Sequence, residues 1–247
     1  MKTIRLVITL GLVLPAAAAF GLDGEEILQA SDAKLLPPNC TYNLTLDTVE
    51  DDGTRKVNVL DGQKKGNARN VMLVTRPPKV SGSVHMRKEL VIWSYYVTDR
   101  KTVKEAYSSI FMGSLLNYGD VMATELSYDY DVVATQETTE HYILTLAPKP
   151  DHEGYARVVV TVNKDDLVPV KREYFALSGE LMKTAEIIEL RRAGRRNSEE
   201  TVYMQQRYYE PLKDRYSIAT YSSIRYVQPN QIPDRYFDEN QIRYFGS

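Results

Sequence analysis

The stretch Asp165–Leu190, DDLVPVKREYFALSGELMKTAEIIEL, decides the fold, because it predicts a β-hairpin. Two runs with β-branched and aromatic residues flank Ser178-Gly179, and glycine readily takes the positive φ that a tight reversal requires. Pro169 has no amide proton to donate, which places it at a strand start or on a sheet edge. A lone hairpin is marginally stable in water, so it needs further strands beside it.

The rest of the chain supplies those strands. Period-two alternation begins after Asn39, and Asp51-Asp52-Gly53 is a strong hairpin-turn signal. The segments 66–75 and 89–97 carry apolar residues on both faces, which is typical of strands that are covered on each side. Ten or eleven strands are expected in total. Besides the two segments above and the two strands of the hairpin within 165–190, strands are predicted near 42–47, 55–60, 131–135, 141–146, 155–162, 200–209 and 216–227.

The expected fold is therefore mainly β, with one large antiparallel sheet and little helix. Asp23–Leu36 is predicted to be a short helix capped by Asp23, and the segments near Met112 and Tyr236 also favour helix. A twisted sheet of this size must curl, close or split into a sandwich. If it curls without closing, it leaves a concave apolar face.

The first 19 residues predict a signal peptide. Lys2 and Arg5 precede an apolar run that ends before Pro15, and Ala17-Ala18-Ala19 provides a small-residue cleavage site near Ala19. An exported protein is expected, with residues 20–247 forming one domain, because no linker interrupts them. The full chain has a net charge of −2, and loss of two cations with the leader leaves −4. This balance argues against nucleic acid as a partner.

Covalent and metal chemistry find little support in the sequence. The three histidines His85, His141 and His152 are far apart and fit no metal or catalytic motif. Cys40 is the only cysteine, so no disulfide forms within the chain, and a buried role without function is expected for it. We therefore expect no cofactor, no metal site and no enzymatic activity, with a lipid hydrolase as a low-ranked alternative.

Several segments, in their order and spacing, resemble one known family over nearly all of the expected mature chain. The chain resembles the outer membrane lipoprotein-sorting proteins of the LolA-like superfamily. The segments that carry the resemblance are Asp23–Leu28, Trp93–Tyr95, Phe111–Ser114 with Tyr118 and Asp120, Leu167–Lys171, Ser178–Leu181 with Lys183 and Thr184, and Ile232–Asp234 with Phe237.

This resemblance implies a half-open β-barrel, in which a strongly curved sheet has an apolar concave face covered by a few short helices. It also implies a periplasmic carrier that holds lipid or the acyl chains of lipoproteins on their way to the outer membrane. The further partners would be an inner-membrane transporter or an outer-membrane acceptor. The alternative is a lipid-responsive sensor or interaction module associated with a membrane transporter.

Two sets of candidate site residues follow. An acyl chain gains roughly 0.8 kcal/mol per buried methylene, so an apolar cavity suffices to bind it. The candidates for lining or covering the cavity are Leu44, Leu46, Leu73, Trp93, Phe111 and Met112. The candidates for contact with lipid headgroups or an acidic partner are Arg191, Arg192, Arg195 and Arg196, for which a solvated turn is the competing interpretation.

Overall fold

A computed structural model describes residues 22–194 and 200–246, and thirteen strands within them form one antiparallel sheet. The predicted signal peptide lies outside the described residues. The strands are β1 (Asn39–Val49), β2 (Arg55–Lys65), β3 (Arg69–Arg76), β4 (Val84–Lys88), β5 (Val91–Tyr96), β6 (Lys101–Glu105), β7 (Tyr130–Glu137), β8 (His141–Pro148), β9 (Arg157–Asn163), β10 (Pro169–Phe175), β11 (Leu181–Gly194), β12 (Glu200–Glu210) and β13 (Arg215–Tyr226).

Three α-helices and four 3-10 helices accompany the sheet in the described residues. In the first α-helix, the Asp23 carboxylate accepts a hydrogen bond from the Glu26 amide, and the Glu26 carboxylate accepts one from the Asp23 amide. This reciprocal cap fixes the helix start where the sequence predicts it. The α-helices are α1 (Gly24–Ala33), α2 (Tyr118–Met122) and α3 (Leu126–Asp129), and the 3-10 helices are Pro78–Val80, Pro229–Gln231, Asp234–Phe237 and Ile242–Tyr244.

The strand order makes the sheet two meanders joined at its centre. The order is β6-β5-β4-β3-β2-β1-β13-β12-β11-β10-β9-β8-β7, so β6 and β7 are the two edges. Residues 106–129 connect these two edges and carry α2 and α3, and we call them the crossing segment. The sheet does not close on itself, which confirms the predicted fold class: mainly β, with a curved antiparallel sheet and a few short helices.

The predicted hairpin is present as β10 and β11. Tyr174 pairs with Lys183 across the two strands, and Gly179 takes a φ of +85° in the turn. Pro169 begins β10, as its missing amide proton requires.

The sequence prediction omits two strands. Basic residues interrupt Val84–Lys88 and β6 is mostly exposed, so neither β4 nor β6 is predicted. The short helix predicted near Met112 is present as α2: Met112 and Gly113 both have a positive φ and form the turn before it, and the helix begins at Tyr118.

Helix α1 and the crossing segment together cover the concave face of the sheet, and we call them the cover. The concave face and the cover share one hydrophobic core. From the sheet, the core receives side chains such as Leu44, Leu60 and Val160. The crossing segment contributes side chains that are all buried: Tyr107, Phe111, Leu115, Leu116, Tyr118, Val121, Met122 and Leu126. Burial of each large apolar side chain contributes about 1.5–3 kcal/mol, so the crossing segment is held mainly by its apolar face.

A second core lies on the convex side of β3, β4 and β5. Val71 and Met72 are neighbours on β3, yet Val71 belongs to this second core and Met72 to the concave one. Alternate strand residues point to opposite faces, so this first meander is covered on both sides, as its continuous apolar runs predict. Residues 227–246, the C-terminal segment, pack on this side of the sheet. They contribute Ile232, Phe237, Ile242 and Phe245.

We expect Ile242→Ala to lower the free energy of unfolding by about 2–5 kcal/mol, because the side chain is fully buried between the C-terminal segment and the sheet. Urea denaturation measures this loss. The matched control is Ile188→Ala on β11, where the side chain is 48% exposed, and its cost stays below about 1 kcal/mol. Equal costs for the two variants would show that the C-terminal segment adds no stability.

Candidate functional site

A cavity of about 480 Å³ lies between the crossing segment and the second half of the sheet. Its wall combines apolar side chains with several buried charged groups. The residues that line it come from the crossing segment, the loop before β9, the β10–β11 hairpin and the end of β12 through the start of β13; they include Tyr107, Ile110, Leu115, Leu116, Asp120, Leu126, Asp129, His152, Tyr155, Ala156, Arg172, Tyr174, Leu177, Met182, Lys183, Lys213 and Arg215.

Within residues 22–194 and 200–246, four ion pairs join the sheet to its cover, and in each the sheet supplies the cation and the cover supplies the carboxylate. The side chains are at most 9% exposed. A buried charge without a partner is strongly unfavourable, so these pairs fix where the cover lies on the sheet. The pairs are Lys64 of β2 with Glu125, Arg87 of β4 with Asp129, Arg172 of β10 with Asp32 of α1, and Lys183 of β11 with Asp120.

The pair at the start of α2 belongs to a wider network. Lys183 Nζ lies 2.5 Å from Asp120 Oδ2 and donates to Tyr155 Oη at 3.0 Å. Tyr155 donates to Asp120 Oδ1 at 2.9 Å, and Asn117 Nδ2 donates to Tyr155 Oη at the same distance. Burial, assisted by the Asp120 charge, raises the pKa of Tyr155, so the phenol stays protonated and serves as a donor.

The pair on β4 forms a second polar cluster with a histidine. Arg87 Nη2 donates to Asp129 Oδ1 at 2.5 Å, while Nδ1 of His152 is 3.6 Å from that same oxygen, beyond hydrogen-bond distance. The His152 ring packs edgewise on Tyr107 and Tyr130 with centroids 4.8 and 5.0 Å away. Burial, assisted by Arg87, lowers the pKa of His152 to about 4, so its imidazole is neutral near pH 7.

The pair of Arg172 with Asp32 positions both helix α1 and the crossing segment on the sheet. Asp32 Oδ1 is 3.4 Å from Arg172 Nη2, and Asp32 Oδ2 accepts from the Ser127 amide at 2.8 Å. Burial raises the pKa of Asp32, with Arg172 acting in the opposite direction. Helix α1 and the crossing segment are therefore positioned by one carboxylate.

The mouth of the cavity is apolar and exposed. Ile110, Leu177 and Met182 line it and are 63, 94 and 43% exposed. Lys213 and Arg215 also line the cavity, and Arg215 pairs with Glu210 at 2.6 Å. Apolar side chains exposed around one opening are typical of a binding site rather than of an ordinary surface.

The structure separates the six predicted cavity residues. Leu44, Leu46 and Phe111 are fully buried in the concave core, and Met112 packs against that core. Leu73 and Trp93 pack instead on the convex side with the C-terminal segment, so the six are not brought together. None of them lines the 480 Å³ cavity, and contact with a ligand stays a prediction.

Sequence reasoning missed the charged residues that face the cavity, although a signal was present. Arg172 and Tyr174 share one face of β10, and Lys183 lies opposite Tyr174. A basic residue that occupies the same alternating positions as the buried residues of a strand indicates a charge on the inner face of the sheet. Their carboxylate partners lie 63 or more residues away in sequence.

The predicted basic cluster is described only in part. Arg191 lies at the surface of β11, where it pairs with Glu189 and stacks over the Tyr203 ring at 4.9 Å. The backbone of Arg192 belongs to β11, while Arg195 and Arg196 lie outside the described residues. Their contact with headgroups or a partner stays a prediction.

Two further features concern metals and membranes. Among residues 22–194 and 200–246, no three His, Cys, Asp or Glu side chains are grouped to hold a metal ion. No helix in this part of the chain has the length and apolar character to cross a membrane. Cys40 is buried.

The open antiparallel sheet with helices over its concave face is the LolA-like fold that the sequence resemblance implies, so the expected fold is confirmed. A family model described as "Uncharacterized protein" matches residues 66–244. The chain belongs to this DUF1329-like family.

Solved structures show the same fold. A LolA superfamily protein from Nitrosomonas europaea superposes with a TM-score of 0.75 at 19% identity, covering 89% of this chain and 99% of that one. A DUF1329 family protein from Desulfovibrio piger gives 0.73 at 19% identity, with 88% and 96% covered. A putative outer membrane lipoprotein-sorting protein domain from Vibrio parahaemolyticus gives 0.73 at 16% identity, with 89% and 98% covered. No curated protein matches the chain.

We expect Lys64→Met to lower the free energy of unfolding by about 3–5 kcal/mol, because it leaves the Glu125 carboxylate buried without its cation. The double variant Lys64→Met/Glu125→Leu recovers most of that loss, since neither charge then remains. Denaturant unfolding of the two single variants and the double variant gives the coupling free energy between Lys64 and Glu125. Arg55→Met, which breaks the exposed pair with Asp47, is the control and leaves the urea midpoint unchanged. Additive effects at Lys64 and Glu125 would contradict the buried pairing.

The buried histidines predict a loss of stability in mild acid. Burial lowers the pKa of His85 to about 3 and that of His152 to about 4. Unfolded histidine binds its proton near pH 6.5, so the contribution of these two histidines to the free energy of unfolding falls as pH decreases from about 6.5 to 4. His152→Gln removes one of these contributions and changes the pH dependence accordingly. Urea titrations at several pH values test this, and identical slopes for wild type and His152→Gln would refute it.

Proposed function

We propose that this protein is a periplasmic carrier that binds lipid, or the acyl chains of lipoproteins, and releases them toward the outer membrane without covalent chemistry. The observation that carries the proposal is the cavity of about 480 Å³ beneath the crossing segment, with its exposed apolar mouth. Cavities that bind small ligands span about 300–1,000 Å³. The apolar side chains in its wall provide the surface that an acyl chain requires.

The binding free energy of an acyl chain in this cavity would come from burial of its methylene groups. Each buried methylene contributes about 0.8 kcal/mol. One chain therefore supplies several kcal/mol of binding free energy after the cost of ordering it.

Similarity to a solved structure and features of the sequence support a periplasmic location and a lipid or lipoprotein cargo. A structure of the same fold is named as a putative outer membrane lipoprotein-sorting protein domain. The apolar N-terminal run and the alanine-rich site at residues 16–19 support export. Export from the cytoplasm would place the carrier between the membranes that such cargo must cross.

The cover supplies a route for uptake and release. Opening it would expose the four buried ion pairs to water, where each charge regains its hydration. Attraction within a buried pair roughly offsets its desolvation, so the pairs position the cover without adding a large barrier to opening. The turn at Met112-Gly113, which precedes α2, is the hinge in this proposal.

Filling the cavity tests the proposal. Ala156→Trp places a large ring in the cavity wall, and we expect it to weaken binding of a fluorescent fatty acid at least tenfold. Ala134→Trp on exposed β7 is the matched control and keeps wild-type affinity. Fluorescence titration measures both, with circular dichroism to verify folding.

Lipid extraction from protein purified from its native compartment gives an independent test. Mass spectrometry is expected to find lipid at near-stoichiometric amounts. The carrier proposal falls if the native protein yields no lipid and the delipidated protein takes up no fluorescent fatty acid.

A further inference from the structure

One part of the cavity wall holds a concentration of unsatisfied polar atoms. Nine buried side-chain polar atoms have no hydrogen-bond partner among the described residues, and four of them belong to one cluster. They are Arg87 Nη1, Tyr107 Oη, Asp129 Oδ2 and His152 Nδ1. Tyr107, Asp129 and His152 line the cavity, and Arg87 is bound to Asp129.

These atoms are deeply buried. Arg87 and Asp129 are each 1% exposed, Tyr107 is 4% exposed, and the His152 side chain is 2% exposed. Folded proteins leave few buried polar groups unpaired, because an unpaired group loses its hydration without compensation. Three of the four belong to residues that line the cavity, and the fourth is on Arg87, which binds one of them; this is the pattern of a site that a polar ligand group completes.

The chemistry of the cluster selects the kind of group. Arg87 Nη1 donates, Asp129 Oδ2 accepts, and Tyr107 Oη does either. The charges of Arg87 and Asp129 offset each other at 2.5 Å, and His152 is neutral near pH 7. A carboxylate or phosphate would meet the negative Asp129, so the cluster favours an uncharged group that both donates and accepts. A hydroxyl group has these properties.

We propose that this cluster is a polar subsite that binds the hydroxyl group of a single-chain amphiphile. The hydroxyl accepts from Tyr107 and donates to Asp129, while the chain lies against the apolar wall at Leu116 and Leu126. This inference rests on the proposed carrier function, because it places the ligand in the same cavity. It adds the class of cargo: one acyl or alkyl chain with a small hydroxyl-bearing head.

Competition between two matched ligands tests the subsite. 1-Dodecanol and its methyl ether have the same chain, but only the alcohol donates a hydrogen bond. The wild-type protein is loaded with a fluorescent fatty acid, and each ligand is titrated as competitor. We expect the alcohol to displace the probe at about tenfold lower concentration than the ether, and dodecanoate at neutral pH to compete less well than the alcohol.

A tyrosine variant ties the preference to the cluster. Tyr107→Phe removes one hydroxyl from the cavity wall and is expected to reduce the tenfold preference to about threefold or less. Tyr142→Phe removes a hydroxyl from β8, away from the cavity, and keeps the full preference. If Tyr107→Phe does not fold, the comparison of alcohol and ether on the wild type still decides the question.

The possible results separate the two proposals. Equal competition by alcohol and ether, with the probe bound, would mean that the cluster binds only water, and it would overturn the subsite while leaving the carrier intact. A preference that Tyr107→Phe does not change would likewise overturn the assignment to this cluster. Failure of the wild type to bind both the probe and, in a direct calorimetric titration, 1-dodecanol would remove both.

Discussion

The requirement that four cations on the inner face of the sheet be neutralised governs how this protein is assembled. Lys64, Arg87, Arg172 and Lys183 point from four different strands toward the concave core, where a lone charge is strongly unfavourable. Each meets a carboxylate from α1 or the crossing segment. The cover therefore has one position on the sheet in which all four charges are paired. Apolar contacts alone are not directional and would not define that position as sharply.

The topology makes this constraint compatible with an open sheet. Because the first meander ends at edge strand β6 and the second begins at edge strand β7, the chain must travel from one edge to the other. The crossing segment does so over the concave face, where its buried side chains share one core with the sheet. The connection between the two edges is therefore part of the interior of the protein.

The sequence determines the sheet better than the site, for physical reasons. Alternation and turn residues are local signals, which is why the hairpin around Gly179 and the capped helix α1 are predicted correctly. Short or polar strands such as β4 and β6 lack that signal. The cavity depends on pairs such as Arg172 with Asp32, which are 140 residues apart. A charge in phase with buried residues marks one partner, but only the fold identifies the other.

In the proposed carrier the cover must open, and the same charges affect the free energy of that step. The buried apolar side chains of the crossing segment become exposed to water on opening, which opposes it. A buried ion pair differs, because its separated charges are well hydrated and its net contribution is small. The unpaired atoms of Arg87, Asp129 and His152 reduce the stability of the closed state further, since they lack partners there. A ligand that supplies those partners would stabilise the closed form, so the polar wall of the cavity links occupancy to closure.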